Sequence, residues 1–273
     1  MCGVDQFRRA GLSFEVRDGG PSGGEPVVLL HGFPQNETCF DDVVPVLHEA
    51  GLRTLVPAQR GYSPAARPAG RAAYRLQECV ADVLALLDAA DIGTAHVVGH
   101  DWGGIVAWLL GHQHADRLRS LVVLSAPHPR AMAAAMLRSR QALQSFYIVF
   151  FQLPWLPELV LPRALRRDLV RTGLPDAAAD RYLRRLREPG ALTAALNWYR
   201  ALPWSLSAPT GPIPVPTTFA WGRTDPAISR TAAELTGHHV QGRYRFEILD
   251  AGHWLPETRP ADIATLIVDA TNG

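Results

Sequence analysis

Apolar positions along the 273-residue chain fall into two alternating patterns. One is a set of short, nearly continuous apolar runs: "PVVLLHG", "LRTLVPA", "AHVVGH", "SLVVLSAP", "TTFAWG" and "RFEILDAGH". "SFEVRDGG" precedes them as a strand ending in a turn. Runs of this length, closed by loops with Gly or Pro, predict β-strands, and strands apolar throughout are covered on both faces. The other pattern is helical. In "LQECVADVLALLDAA" apolar residues stand at 76, 79, 80, 83, 84 and 87, the period of a helix with one face inward. Alternation of the two predicts an α/β protein: a mostly parallel sheet flanked by helices.

The alternation stops between residues 129 and 210. That stretch reads as helical, with breaks at "LPWLPE", "GLPD", "REPG" and "APTGPIPVP", and strands resume at Thr217. A helical insertion between two sheet-forming halves would sit above the strands' C-terminal edge, where open α/β sheets bind ligands. The expected organisation is a core of residues 1–128 and 211–273 with an inserted helical cap over 129–210. The Arg-rich part, Arg163 to Arg187, reads as solvated outer faces of the cap helices.

Where the run "AHVVGH" gives way to a helix, the chain reads "VVGHDWGGIVAW". Gly99, Gly103 and Gly104 surround Asp101 in the layout of a strand–turn–helix nucleophile elbow, with Asp where a serine often stands. A hydroxyl needs a base to become a nucleophile, whereas a carboxylate is already ionised at neutral pH. Asp101 can therefore attack an electrophilic carbon directly. Attack on a saturated carbon leaves an alkyl ester, and its hydrolysis calls for a histidine base and a water. The chain offers these partners later. Asp225 follows "TTFAW" in "WGRTDPAI", and His253 follows "RFEIL" in "LDAGHWLPETRP". The order nucleophile, acid, histidine is the α/β-hydrolase order, with Asp225 orienting His253. No carboxylate lies between Ser125 and Arg130, which favours Asp225 as the acid.

A third segment, "LLHGFPQN", follows a strand, and Gly32 permits an unusual backbone path there. The N–H groups of Phe33 and Trp102 are the candidates for an oxyanion hole. The Phe33–Pro34 bond is a candidate cis peptide.

Composition narrows the function classes. The 27 basic residues, all Arg, nearly balance 26 acidic ones. A net charge of +1 argues against a nucleic-acid or membrane-surface partner held by bulk charge. Arg without Lys suits a GC-rich bacterial gene. Cys2, Cys39 and Cys79 are scattered and odd in number, which predicts a reducing compartment. "MCGVDQFRRA" lacks an apolar signal core, so a cytoplasmic protein is expected. The longest apolar run, "FYIVFFQLPWLPELVL", is broken by Gln152, Pro154 and Pro157, too interrupted to span a bilayer. Cys2 before Gly3 would suit an N-terminal nucleophile, but nothing downstream supports one. His112 with His114, and His238 with His239, lack the thiols or carboxylates of a metal site. No metal or cofactor is expected.

Taken together, "HGFP", "GHDWGG", "WGRTDP" and "AGHW" resemble the α/β-hydrolase-fold epoxide hydrolases over nearly the whole chain. "GHDWGG" alone is shared with haloalkane dehalogenases. Two cap segments separate the two families. "SFYIVFFQLP" (145–154) and "LNWYRALP" (196–203) resemble the segments that carry the cap tyrosines of epoxide hydrolases. The resemblance implies that Tyr147 and Tyr199 hold the epoxide oxygen. Ring opening releases an alkoxide, a poor leaving group unless a donor stabilises it, whereas a halide needs none. The chain departs from the family in two places: Ala58–Gln59 precede "RGY" where an Asp is common, and Cys39–Phe40 stand in place of Ser–Trp.

The resulting expectation is a cofactor-independent epoxide hydrolase giving a vicinal diol. Phe33, Trp102, Phe150, Trp155 and Trp198 would form an apolar pocket for a small hydrophobic or aryl epoxide. Substrate and water are the expected partners, and a homodimer is compatible with this reading. Two rivals stay open. One is a haloalkane dehalogenase using Asp101, His253 and Asp225; the other is a non-catalytic ligand-binding protein on the same fold.

Overall fold

The computed structural model describes residues 3–205 and 208–273, so Cys2 lies outside the described residues. Eight strands form one sheet: β1 (Gln6–Arg9), β2 (Leu12–Gly19), β3 (Pro26–Leu30), β4 (Arg53–Pro57), β5 (Ala95–His100), β6 (Leu118–Leu124), β7 (Thr217–Gly222) and β8 (Tyr244–Leu249). Their order is β1-β2-β4-β3-β5-β6-β7-β8. β2 runs antiparallel to β1 and β4, and the remaining pairs are parallel. The sheet is mostly parallel, as the apolar runs predict.

The sequence reading missed β1. Its four residues, "QFRR", bury only Phe7, so neither alternation nor an apolar run marks it. Tertiary contacts hold it instead. Phe7 stacks on Phe14 of β2 at 4.6 Å, and Arg9 reaches Glu78 and Asp82 at 2.6 and 2.8 Å.

The central strands are covered on both faces, and every residue of β5 is buried. The helix Leu76–Ala89 turns Leu76, Cys79, Val80, Val83, Leu86 and Leu87 inward. Asp82 is buried with them because Arg60 grips both its oxygens at 2.7 Å. The helix Trp102–Gln113 shows no polar face, and nine of its residues are buried. It runs through the interior between sheet and neighbouring helices.

Strand order fixes where a ligand can sit. From β3 the chain passes to β4 on one side, then returns to β5 on the other side of β3. The C-terminal ends of β3 and β5 therefore form a topological switch point, the crevice where open α/β sheets bind ligands. Between β6 and β7, seven helices lie among the described residues, from Pro129–Arg138 to Leu202–Ser205. They are tied to the sheet-bearing body by the Trp198 indole donating to the Arg60 carbonyl at 2.8 Å. Tyr182 adds a hydrogen bond to Glu257 at 2.7 Å. Inside the insertion, buried Arg200 binds both oxygens of Glu158 and the carbonyls of Phe151 and Leu153. Among the described residues, no helix is long and apolar enough to cross a membrane.

Candidate active site

β5 ends at His100, and the helix Trp102–Gln113 starts one residue beyond Asp101. The turn between them forces Asp101 to φ 50° and ψ −118°, a conformation that L-residues rarely adopt. Such a turn needs close backbone approach. A Cβ on Gly103 would sit 2.2 Å from the Leu30 carbonyl oxygen, and one on Gly32 would sit 2.4 Å from the Asp101 Cβ. Glycine at both positions lets the β3 loop pass directly beside the Asp101 side chain.

Three distant stretches meet at this carboxylate. Its Oδ1 accepts the Phe33 N–H at 2.9 Å. Its Oδ2 lies 3.7 Å from His253 Nε2, an ion-pair distance rather than a hydrogen bond. On the far side of the imidazole, His253 Nδ1 donates to Asp225 Oδ2 at 2.8 Å. Asp225 is held in turn by its other oxygen, which accepts the Ala227 and Ile228 amides at 2.8 and 3.0 Å. Asp225 is thus a turn former and the partner of His253 at once. The Trp102 amide sits in the first turn of its helix, where N–H groups lack intrahelical acceptors. The Phe33–Pro34 peptide is cis.

Charge decides the protonation states. Burial alone would lower the His253 pKa, but Asp225 and Asp101 outweigh it and push it up to about 10. Burial would raise Asp101, yet the ion pair with His253, then the charge of His100 and the Phe33 N–H, hold it below the usual carboxylate value. The free site is therefore an ionised Asp101 beside an imidazolium. Burial raises the pKa of Tyr147, and the charges of Asp101 and Asp225 add to it. Burial does the same for Tyr199, with Tyr147 and Asp101 reinforcing it. Both phenols are neutral O–H donors at neutral pH, and both feel the Asp101 charge.

Tyr147 and Tyr199 come from separate helices, Phe146–Gln152 and Ala191–Arg200, and their rings meet edge-on at 5.9 Å. Tyr199 also packs edge-on against Trp102 at 4.9 Å and Phe33 at 5.3 Å. Trp198 packs on Trp102 at 5.8 Å, with its indole N–H turned away to Arg60. Phe150 is half-buried and touches this group through Phe151. Trp155 does not join it. Its backbone is left-handed (φ 49°) between Pro154 and Pro157, and the indole stands 71% exposed on the outside of the insertion. The sequence reading of Trp155 as pocket-lining fails because that turn points it outward. Phe151, which the sequence reading missed, takes the inner place. It is buried and packs on Phe33, Tyr147 and Tyr199 at 5.6, 5.5 and 4.9 Å.

A buried polar layer behind the carboxylate was also missed. His100 bridges Gln35 Oε1 and the main-chain oxygen of His253, at 2.6 and 2.9 Å. Ser125 donates to that same oxygen at 3.0 Å, so the backbone under the imidazole is fixed from two sides. Gln35 Oε1 accepts the Gly32 N–H at 3.2 Å, and its amide nitrogen donates to Glu257 at 2.7 Å. Burial, then the His253 charge, lowers the His100 pKa to about 4. His100, Gln35 and Glu257 each adjoin a motif in the chain: "GHDW", "HGFPQ" and "GHWLPE". Adjacency to those motifs is the signal that points to them. Gln59, one of the departures, has a local role. Its main-chain N–H donates to His31 Nε2 at 3.2 Å, and its side-chain amide donates to the His31 carbonyl, bracing the residue before Gly32.

Residues 25–260 match the family model for the alpha/beta hydrolase fold. The α/β-hydrolase superfamily protein YfhM of Bacillus subtilis is 36% identical over 269 residues, covering 95% of this chain and 94% of its own. Epoxide hydrolase A of Mycobacterium tuberculosis is 32% identical over 306 residues, covering 96% and 95%. The crystal structure of epoxide hydrolase A from Mycobacterium thermoresistibile superposes with a TM-score of 0.84 at 27% identity, over 98% of this chain and 97% of that one. The chain belongs to the α/β-hydrolase fold family. Within that family it belongs among the epoxide hydrolases.

Proposed function

We propose that the protein hydrolyses epoxides to vicinal diols through an alkyl ester of Asp101. The observation that carries this reading is the meeting of two neutral phenols, Tyr147 and Tyr199, next to an ionised carboxylate at an elbow turn. The phenols hold the epoxide oxygen and stabilise the alkoxide that forms as the C–O bond breaks. Asp101 attacks the ring carbon from the opposite side.

The two carboxylate oxygens have different surroundings, which assigns them different tasks. Oδ1 faces the Phe33 amide and becomes the ester carbonyl, whose developing charge is met by the Phe33 and Trp102 N–H groups. Oδ2 accepts no amide N–H among the described residues and bonds to carbon. Alkylation also removes the negative charge of Asp101. The imidazolium then loses one of the two carboxylates that keep its pKa high. It can release its proton to the new alkoxide through the phenols, and the neutral ring then draws a proton from water attacking Asp101 Cγ. His253 changes from acid to base because its neighbour changes charge.

A single turnover of styrene oxide in 18O-water tests this. The diol of the first turnover should carry the unlabelled Oδ2 of Asp101, and 18O should remain in the Asp101 carboxyl group. Diol labelled from solvent in that turnover would overturn the covalent route. Replacing one phenol, Tyr199→Phe, should lower kcat/KM for styrene oxide by roughly 10²-fold, the usual size of a lost acid or oxyanion donor. Tyr147→Phe with Tyr199→Phe should lower it further, read from steady-state diol release.

A further inference from the structure

The outer surface of the helical insertion carries an apolar stripe that the proposed reaction leaves unused. From Gln141 to Pro157 the chain has no charged residue. In and just beyond this stretch Leu143, Phe146, Val149, Leu153, Trp155 and Leu159 are exposed by between 43% and 76%. Spacings of three, three and four from Leu143 to Leu153 place those side chains on one face of a helical path. The other face of the same segment turns Tyr147 and Phe151 toward the active site. The segment is therefore apolar on both sides, and one side has no cover among the described residues. Monomeric proteins seldom leave so many large apolar groups together at the surface without a use.

Charge indicates what covers it. The chain-wide balance of +1 hides a division. Residues 129–210 hold twelve Arg and five acidic residues, and the rest of the chain holds fifteen Arg and twenty-one. Arg138 and Arg140 stand just before the stripe and Arg163 just after it. All three are exposed and form no ion pair among the described residues, Arg163 donating only to the Leu159 carbonyl of its own helix. An apolar stripe bordered by arginines, with a tryptophan at its edge, is the pattern of segments that lie in a membrane interface. A second copy would bring the same basic borders face to face, which like-charge repulsion opposes.

We propose that this face docks on an anionic lipid surface, the stripe entering the apolar boundary while the arginines lie against headgroup phosphates. The protein would lie on the membrane and not span it. Docking stands independently of the reaction proposed above. If both hold, one helix, Phe146–Gln152, separates the bilayer from the phenols, and a lipophilic epoxide dissolved in lipid has a short path to them.

Flotation of the full chain with phosphatidylcholine vesicles, with and without phosphatidylglycerol, tests the proposal. Bound protein should rise about tenfold or more with phosphatidylglycerol and fall again as salt is added. Two variants should each lose about tenfold in binding: Phe146→Ser with Val149→Ser, and Arg138→Glu with Arg140→Glu. The charge reversal touches only exposed positions, so it decides the matter if the apolar pair fails to fold by circular dichroism. Equal binding to both vesicle types, or to neither, would overturn the proposal. So would a lipid-free dimer, seen by sedimentation, that Phe146→Ser with Val149→Ser dissociates, since a second copy would then be the cover.

Discussion

Asp101→Asn is expected to stop diol formation while leaving the fold intact. Asparagine keeps the shape of the side chain and an oxygen to accept the Phe33 N–H, now bound at 2.9 Å. Of all residues with a Cβ, Asn and Asp also best tolerate a positive φ such as the 50° at this turn. What it lacks is charge. An amide oxygen does not displace an alkoxide from saturated carbon, so no ester forms. Loss of a covalent nucleophile lowers turnover by roughly 10⁴- to 10⁶-fold. Retention of more than a tenth of wild-type turnover on styrene oxide would remove Asp101 from the mechanism. The same variant reports on His253. Without the Asp101 charge its pKa should fall from about 10, which imidazole NMR titration can follow. The effect on stability has a definite sign. A raised folded-state pKa means that the imidazolium contributes fully below its ordinary value of 6.5, and the contribution is lost as pH rises through about 10. In Asp101→Asn the contribution should be smaller and its loss complete at a lower pH, seen as a shallower alkaline fall in Tm that levels off earlier.

How much of this could be read from the chain depended on the range of the interactions. The parallel strands were legible because burial on both faces leaves continuous apolar runs, and each run is a local signal. β1 was not, since "QFRR" carries no strand pattern of its own and is held by Phe7 on Phe14 and by Arg9 on the distant Leu76–Ala89 helix. At the site the elbow is local too: glycines around an acidic residue between strand and helix announce a sharp turn. Asp225 and His253 were found by their order after the last two strands, not by any contact visible in sequence. The phenols were legible only by resemblance, because each sits in an aromatic stretch that composition reads as packing. Trp155 was misplaced for the same reason. Nothing in its neighbours shows the left-handed backbone that sends it outward while Phe151, four residues earlier, turns in. Glu257, Gln35 and His100 were missed because a buried polar chain is assembled across the fold, one residue each from the helix Leu255–Thr258, the loop after β3 and the end of β5.

The two half-reactions should separate in His253→Gln. Asp101 loses the partner that most lowers its pKa, but the Phe33 N–H still supports its ionised form against burial, so alkylation should survive. The phenols are untouched. Glutamine can fill part of the space between Asp101 and Asp225 but cannot take a proton from water, so the ester should persist. Mixing the variant with styrene oxide should consume about one equivalent of epoxide per site in a burst, then stall, with steady turnover down by roughly 10³-fold or more. Intact-protein mass spectrometry should show the chain heavier by one epoxide, and peptide mapping should place that mass on Asp101. The charge-switch argument adds a finer test. On the proposed route the imidazole acts as base at neutral pH only after Asp101 is alkylated, so epoxide consumption and ester hydrolysis should respond to different protonation states. Single-turnover rates measured across pH should therefore give an ester-hydrolysis limb whose midpoint lies well below 10, the value set by both carboxylates in the free enzyme. A variant that turns over freely, or carries no added mass after exposure to a good substrate, would show that some other group serves as base and that His253 serves only to pair with Asp225.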